Sequence, residues 1–196
     1  NAHFFTRPES EVVSEYQMLM DSYLGKGAVS VEHIRALHRL GYLPLHIKAL
    51  DEGTCVDMKV PVLTITNTKD EFFWLVNYLE TVLSSELWKS STNATIAHHY
   101  RRICQNWADK TCDEMAHLDF QCHDFSFRGM SGLQDAAQSG CGHLLSFKGT
   151  DTIPAIMYAK KYYTNGDDSL IGASIPATEH SVMCMGEKAH ESDTFR

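Results

Sequence analysis

The sequence lacks the marks of a nucleic-acid binder or a membrane-spanning chain. It contains no basic block. Its 17 Lys+Arg are outnumbered by 25 Asp+Glu, giving a formal charge of -8, the wrong sign for binding a phosphate backbone. Its fully apolar runs stop after a few residues, far short of the roughly 20 that a bilayer-spanning helix needs. No basic-then-apolar leader with a small-residue cleavage site opens it. Its six cysteines include no CxxC pair, and the spacing of Cys104 and Cys112 suits neither zinc nor a redox motif. Read as reduced structural thiols, they point to a cytoplasmic protein. GxGxxG, P-loop and GxSxG signatures are all missing, which removes the usual marks of dinucleotide binding, nucleotide hydrolysis and serine hydrolysis.

What is present is a foldable chain. It has 196 residues, 43% of them hydrophobic and 10% aromatic, enough to bury a core without disulfides or a metal and too many aromatics for disorder. It begins without Met and stops in the polar run Glu191–Arg196. Both ends are read as those of an internal stretch or partial chain.

The first part reads as mixed. Glu11 to Leu24 carries apolar residues at helical spacing, closed by Gly25 and Gly27. Ser30 is a candidate N-cap for a short helix closed by Gly41. Leu43 to Leu50 and Val60 to Thr68 alternate like two strands around an Asp51–Thr54 turn, which predicts a small antiparallel unit. One helix is predicted from Asp70 to Leu87 and another from about Asn93 to Asp109. The remainder has a different rhythm. Short apolar runs at Phe120–Phe127, Leu144–Phe147 and Ile171–Ile175 are separated by helical stretches at Ser131–Gly142 and Thr152–Tyr163. That order predicts βαβαβ with parallel strands. Residues 1–115 are therefore read as a mixed N-terminal part with a small antiparallel sheet, and 116–196 as the opening of an α/β sheet or barrel.

Polar residues gather just after each predicted strand, where ligands bind in parallel α/β proteins. Arg128, Asp151 and His180 fall one after each strand and are candidates to converge on one site. Each has a plainer reading. Arg128 is either a surface ion pair or a guanidinium fork for phosphate. Asp151 is either the cap of the following helix or an acceptor for an amide or amine, which would repel a carboxylate ligand. His180 is either a satisfied strand-end histidine or a group active near neutral pH. Glu179 is either solvated or orients that imidazole. Phe125 is either core or a stacking platform for a flat heteroaromatic base. His98 and His99 project about 100° apart on a helix and cannot readily share a metal. His123-Asp124 resembles a hydrolase metal pair only superficially, so no metal ligands are assigned.

The runs HDFSFRGMSG (His123–Gly132), HLLSFKGTDT (His143–Thr152) and DDSLIGASIPATEHSVMCMG (Asp167–Gly186), with LPLHIKALDEG and FFWLVNYLETVL upstream, closely resemble the nicotinamide-using branch of the type II phosphoribosyltransferases. The resemblance runs from about Pro44 to Phe195 and is loose before that. It implies an irregular α/β barrel, here partial, and a homodimer with active sites between subunits. It implies transfer of phosphoribosyl from phosphoribosyl diphosphate to nicotinamide, with Mg2+ accompanying the diphosphate. It also implies ATP as a phosphoryl donor to His180. Phe125 matches the ring that stacks on nicotinamide, Arg128 the arginine near the diphosphate, and Asp151 the carboxylate that bonds the carboxamide. His123, Ser174, Ile175 and Ala177 match the walls of the tunnel to the site. Family members are more than twice this length, so the chain alone is expected to be inactive. Two other readings stand beside this one: a nicotinate-using enzyme of the same fold, and a non-catalytic interaction module on the same scaffold.

Overall fold

The computed structural model describes residues 3–164, 169–185 and 193. The chain forms two compact units, Asn1–Ser85 and Glu86–Arg196, whereas the sequence reading divides it after residue 115. The architecture is mixed α/β.

In the first unit, helix α1 (Glu9–Leu24) and helix α2 (Glu32–Leu40) follow the predicted periodicity. Glu9 ties them together by accepting from Arg35 at 2.9 Å and from Arg39 at 2.9 and 3.1 Å. The Ser30 hydroxyl caps α2 from one residue further out than usual, accepting the Glu32 N–H at 3.2 Å. Gly41 closes α2 in the left-handed region at φ 80°, where a glycine has no Cβ to clash. Strands β1 (Leu45–Ala49) and β2 (Leu63–Asn67) pair antiparallel, Ile47 opposite Ile65, as the alternation predicts. Leu37, Phe72 and Leu75 form the buried centre, with Phe4, Phe5, Leu40, Leu45, Trp74 and Leu79 around it.

The two helices predicted between residues 70 and 109 are one. A short 3-10 turn (Asp70–Phe72) precedes a single 37-residue helix, α3 (Leu75–Thr111). The polar run at 89–93 contains no glycine or proline. Ser and Thr there lower helix propensity only slightly, which is too little to end a helix.

The second unit begins within α3. Strand β3 (His123–Asp124) leads through a 3-10 turn (Ser126–Gly129) to helix α4 (Leu133–Leu144), strand β4 (Gly149–Thr150) and helix α5 (Ile153–Tyr162). β3 and β4 are parallel, and a single parallel bridge sets Gly149 against Ala173. This is the predicted βαβαβ order, with three corrections. The first strand is two residues long. The second starts at Gly149 because α4 continues through Leu144. The third is the bridge at Ala173 alone rather than 171–175.

Small residues explain the helix packing. Ala136, Ala137, Ser139, Gly140 and Gly142 are buried on α4, and Ala155 and Ala159 on α5. A Cβ on Gly140 would stand 2.7 Å from that of Ala155. A Cβ on Gly142 would stand 2.6 Å from the Ser90 carbonyl oxygen and 3.0 Å from the Ala94 nitrogen, both on the backbone of α3. Backbone cannot yield as a side-chain tip can. Gly142→Ala is therefore expected to destabilise the fold by ~1–3 kcal/mol, the usual range for overpacking. Gly129→Ala, at a position with open space around it, should leave stability within about 0.5 kcal/mol. Urea unfolding of the two variants checks both values.

Candidate functional site

The register of the parallel ladder decides which side chains meet. His123 lies opposite Gly149, and Gly149 opposite Ala173. Four backbone bonds hold the register: Lys148 N–H to the Asp119 carbonyl (2.6 Å), Asp151 N–H to the Asp124 carbonyl (2.9 Å), Thr150 N–H to the Ala173 carbonyl (3.0 Å) and Ala173 N–H to the Lys148 carbonyl (2.8 Å). His123, Asp151 and Ser174 thus arrive side by side at the carboxyl ends of the strands.

Asp151 is the hub. Its Oδ1 accepts from His123 Nε2 at 2.8 Å and from the Ser174 hydroxyl at 2.6 Å. The Ser174 and His123 bonds, with the charge of Arg128 adding to them, hold its pKa below the ordinary carboxylate value. It does not cap the following helix: Thr152 is the residue at that position, and it makes no side-chain cap bond. The buried His123 Nδ1 has no partner among the described residues. The single proton of a neutral imidazole therefore belongs on Nε2, donated to Asp151. Gly149 makes room for this ring, since a Cβ there would stand 2.9 Å from His123 Nδ1.

Phe125 is not core. Its ring stacks on His123, centroids 4.5 Å apart and planes 30° from parallel, and it remains 59% exposed. Arg128 is exposed on the turn after β3, near enough for its charge to be felt at Asp151. Phe125, His123, Asp151 and Ser174 are thus brought together, with Arg128 on the adjoining turn. Ile175 and Ala177 follow Ser174 in an exposed stretch.

His180 is not bonded to this group. It opens the one-turn helix α6 (His180–Met183) and makes neither a hydrogen bond nor an ion pair with Arg128 or Asp151. Its Nε2 lies 2.9 Å from Glu179 Oε1, and its side chain is 80% exposed. Glu179 uses its other oxygen on Ser181, accepting from the backbone N–H at 2.7 Å and from the hydroxyl.

Two supports have no counterpart in the sequence reading. The buried His143, whose pKa burial pushes down, lies with Nε2 3.0 Å from the Gly149 carbonyl and so fixes β4 from behind. Beneath the site, Asp119 pairs with Arg101 at 2.9 Å and with Lys148 at 3.0 Å. Only the βαβ spacing hints at either residue.

Residues 120–195 match the nicotinate phosphoribosyltransferase (NAPRTase) family. The chain's relatives are named more narrowly. The chain is 60% identical over all 196 residues to the nicotinamide phosphoribosyltransferase of Acinetobacter baylyi, spanning 38% of that protein. It is 40% identical over 157 residues, 79% of the chain, to that of Mycoplasma genitalium, covering 32% of it. It is 37% identical over 157 residues, 80% of the chain, to that of Xanthomonas campestris pv. campestris, covering 33% of it. The chain therefore spans about a third of the length of these relatives. No described helix is long and apolar enough to cross a membrane.

Hydrogen bonds from Lys148 and then Arg101 lower the pKa of Asp119. A carboxylate depressed in the folded state contributes stability above its unfolded value, and that contribution is lost as pH falls through the folded value. Asp119→Asn should therefore lose less stability than the unchanged chain between about pH 4, the ordinary carboxylate value, and more acid solution. Urea unfolding across that range is the check.

Proposed function

We propose that the full-length protein carrying this chain is a nicotinamide phosphoribosyltransferase. It joins the nitrogen of nicotinamide to the anomeric carbon of phosphoribosyl diphosphate, releasing diphosphate and giving nicotinamide mononucleotide for NAD salvage. The observation that carries this reading is the Asp151 carboxylate, bonded through Oδ1 alone and set beside an exposed stacking ring. The names of the relatives support the same reaction.

Each residue has a task in it. Phe125 stacks on the electron-poor pyridine ring. Asp151 accepts an amide N–H from nicotinamide and repels the carboxylate of nicotinate. His123, Ile175 and Ala177 wall the approach. The nitrogen lone pair forms the new bond to the sugar carbon while the carbon–oxygen bond to diphosphate breaks, its electrons leaving with diphosphate. The carbon becomes oxocarbenium-like in between. Arg128 offsets the negative charge gathering on the leaving group, and alignment of nitrogen, carbon and diphosphate supplies much of the rate.

Among the described residues no three His, Cys, Asp or Glu side chains cluster to hold a metal. The magnesium ion is proposed to accompany the diphosphate, held by phosphate oxygens and water. ATP is the proposed phosphoryl donor to His180. The Glu179 carboxylate holds Nε2, which directs Nδ1 to attack the γ-phosphorus: an N–P bond forms, the P–O bond to ADP breaks, and the ring proton passes to solvent. The segment 116–196 is proposed as the opening of an irregular α/β barrel in a cytoplasmic homodimer.

Incubating the full-length protein with nicotinamide and phosphoribosyl diphosphate should yield nicotinamide mononucleotide and diphosphate in equal amounts. No product would overturn the assignment. Asp151→Asn should erode the preference for nicotinamide over nicotinate by ~1–3 kcal/mol, the range for a hydrogen bond to a charged group. Separately, labelled ATP should leave acid-labile phosphate on the protein, and His180→Ala should abolish it. Label that persists in the variant would refute the role of His180.

A further inference from the structure

The choice of an amide over an acid is assigned above to Asp151, but the geometry around that carboxylate involves a second residue. We propose that Ser174 is a specificity-determining residue. Its hydroxyl commits its one proton to Asp151, so that it can only accept from the incoming base. This inference rests on the nicotinamide reading and deepens it.

The commitment follows from three observations. First, the ladder fixes where Ser174 stands. Ala173 is bonded in both directions to the β4 segment, through the Lys148 carbonyl and the Thr150 N–H, and Ser174 is the next residue. Second, the hydroxyl is 2.6 Å from Asp151 Oδ1 but 3.4 Å from its other acceptor, the Ile175 carbonyl. A short bond to a charged oxygen wins over a long one to a neutral oxygen. Third, the other donor in reach is committed too. His123 Nε2 lies 2.8 Å from the same Oδ1, and its Nδ1 is buried behind the ring.

The consequence is chemical. A serine hydroxyl is ordinarily adaptable, with one proton to give and two lone pairs to receive. Left to rotate, it would donate to a carboxylate as readily as it accepts from an amide, and so would not discriminate. Tied to Asp151, it presents lone pairs only. Asp151 Oδ2 takes no hydrogen bond from the described residues, and it presents lone pairs as well. Two acceptors side by side suit the NH2 of a primary carboxamide, which brings two N–H donors. A carboxylate brings none. Arg128, the remaining cation nearby, is engaged with diphosphate in the same reading.

The test uses Ser174→Ala and Ser174→Thr in the full-length protein. Calorimetry gives the dissociation constants of nicotinamide and nicotinate, and steady-state kinetics gives KM and kcat for each. Ser174→Ala should reduce the preference for nicotinamide by up to about tenfold, the upper end for a hydrogen bond between neutral groups. The loss should fall on KM and leave kcat near that of the unchanged protein. Ser174→Thr keeps the hydroxyl and should hold the preference within about twofold. If the serine serves only to pin the 171–175 segment, Ser174→Ala will weaken both bases alike and leave their ratio unchanged, which overturns the proposal while leaving the function intact. An unchanged protein that binds neither base overturns both.

Discussion

The two-residue ladder of β3, β4 and Ala173 is the constraint on which the site depends. Parallel pairing with His123 opposite Gly149 and Gly149 opposite Ala173 leaves no choice about which side chains become neighbours. A slip of one residue in any of the three segments would turn its side chains to the opposite face. Asp151 would then face the interior and Thr150 the ligand. So short a sheet cannot hold its register alone. It is braced from behind by His143 against the Gly149 carbonyl and by the close approach of α4 to α5 at Gly140. The small side chains of α4 are thus as necessary to the site as the charged ones that line it.

The electrostatics follow from the same arrangement. Asp151 is partly exposed, and an exposed carboxylate is ordinarily mobile and well hydrated. Here two donors converge on one oxygen, fixing the carboxylate plane and keeping it ionised. The histidine that supplies one of those donors also supports the face of Phe125. Ring, imidazole and carboxylate form one connected unit, in which the exposed aromatic face and the carboxylate share His123 as a support. His180 and Glu179 form a separate pair with their own hydrogen bonds, His180 being the more exposed of the two. The described residues thus hold a compact group at the strand ends and a second, more open one beyond them.

Much of this was legible in the residues. Alternation with β-branched residues gave the antiparallel pair and its turn, and the order of apolar runs and helical stretches gave βαβαβ. Two of the polar clusters held residues that meet, among them His123, Phe125 and Asp151, whereas Ser174 lay inside the predicted third run and His180, in the third cluster, pairs with Glu179 instead. The misses have physical reasons. The apolar run at Leu144–Phe147 belongs partly to a helix and partly to a loop, because a few buried apolar residues satisfy either periodicity. The residues that pair, Gly149 and Thr150, are neither bulky nor especially apolar. The break expected inside α3 rested on polar residues that a helix tolerates when nothing forbids it. The roles of His143 and Gly149 were invisible because their meaning lies in contacts across 6 and 26 residues of sequence, and no local pattern announces such pairings.

The brevity of the strands has one further consequence. In a broad sheet the central amides are shielded by strands on both sides, and they exchange with solvent only when the sheet itself opens. Among the described residues, the amide protons of Thr150, Asp151 and Ala173 have no such neighbours beyond the ladder. Their shelter comes from the helices laid over them. Deuterium uptake at these three positions therefore reports the undocking of α4 and α5, and the arrangement at the strand ends is only as long-lived as that helical cover.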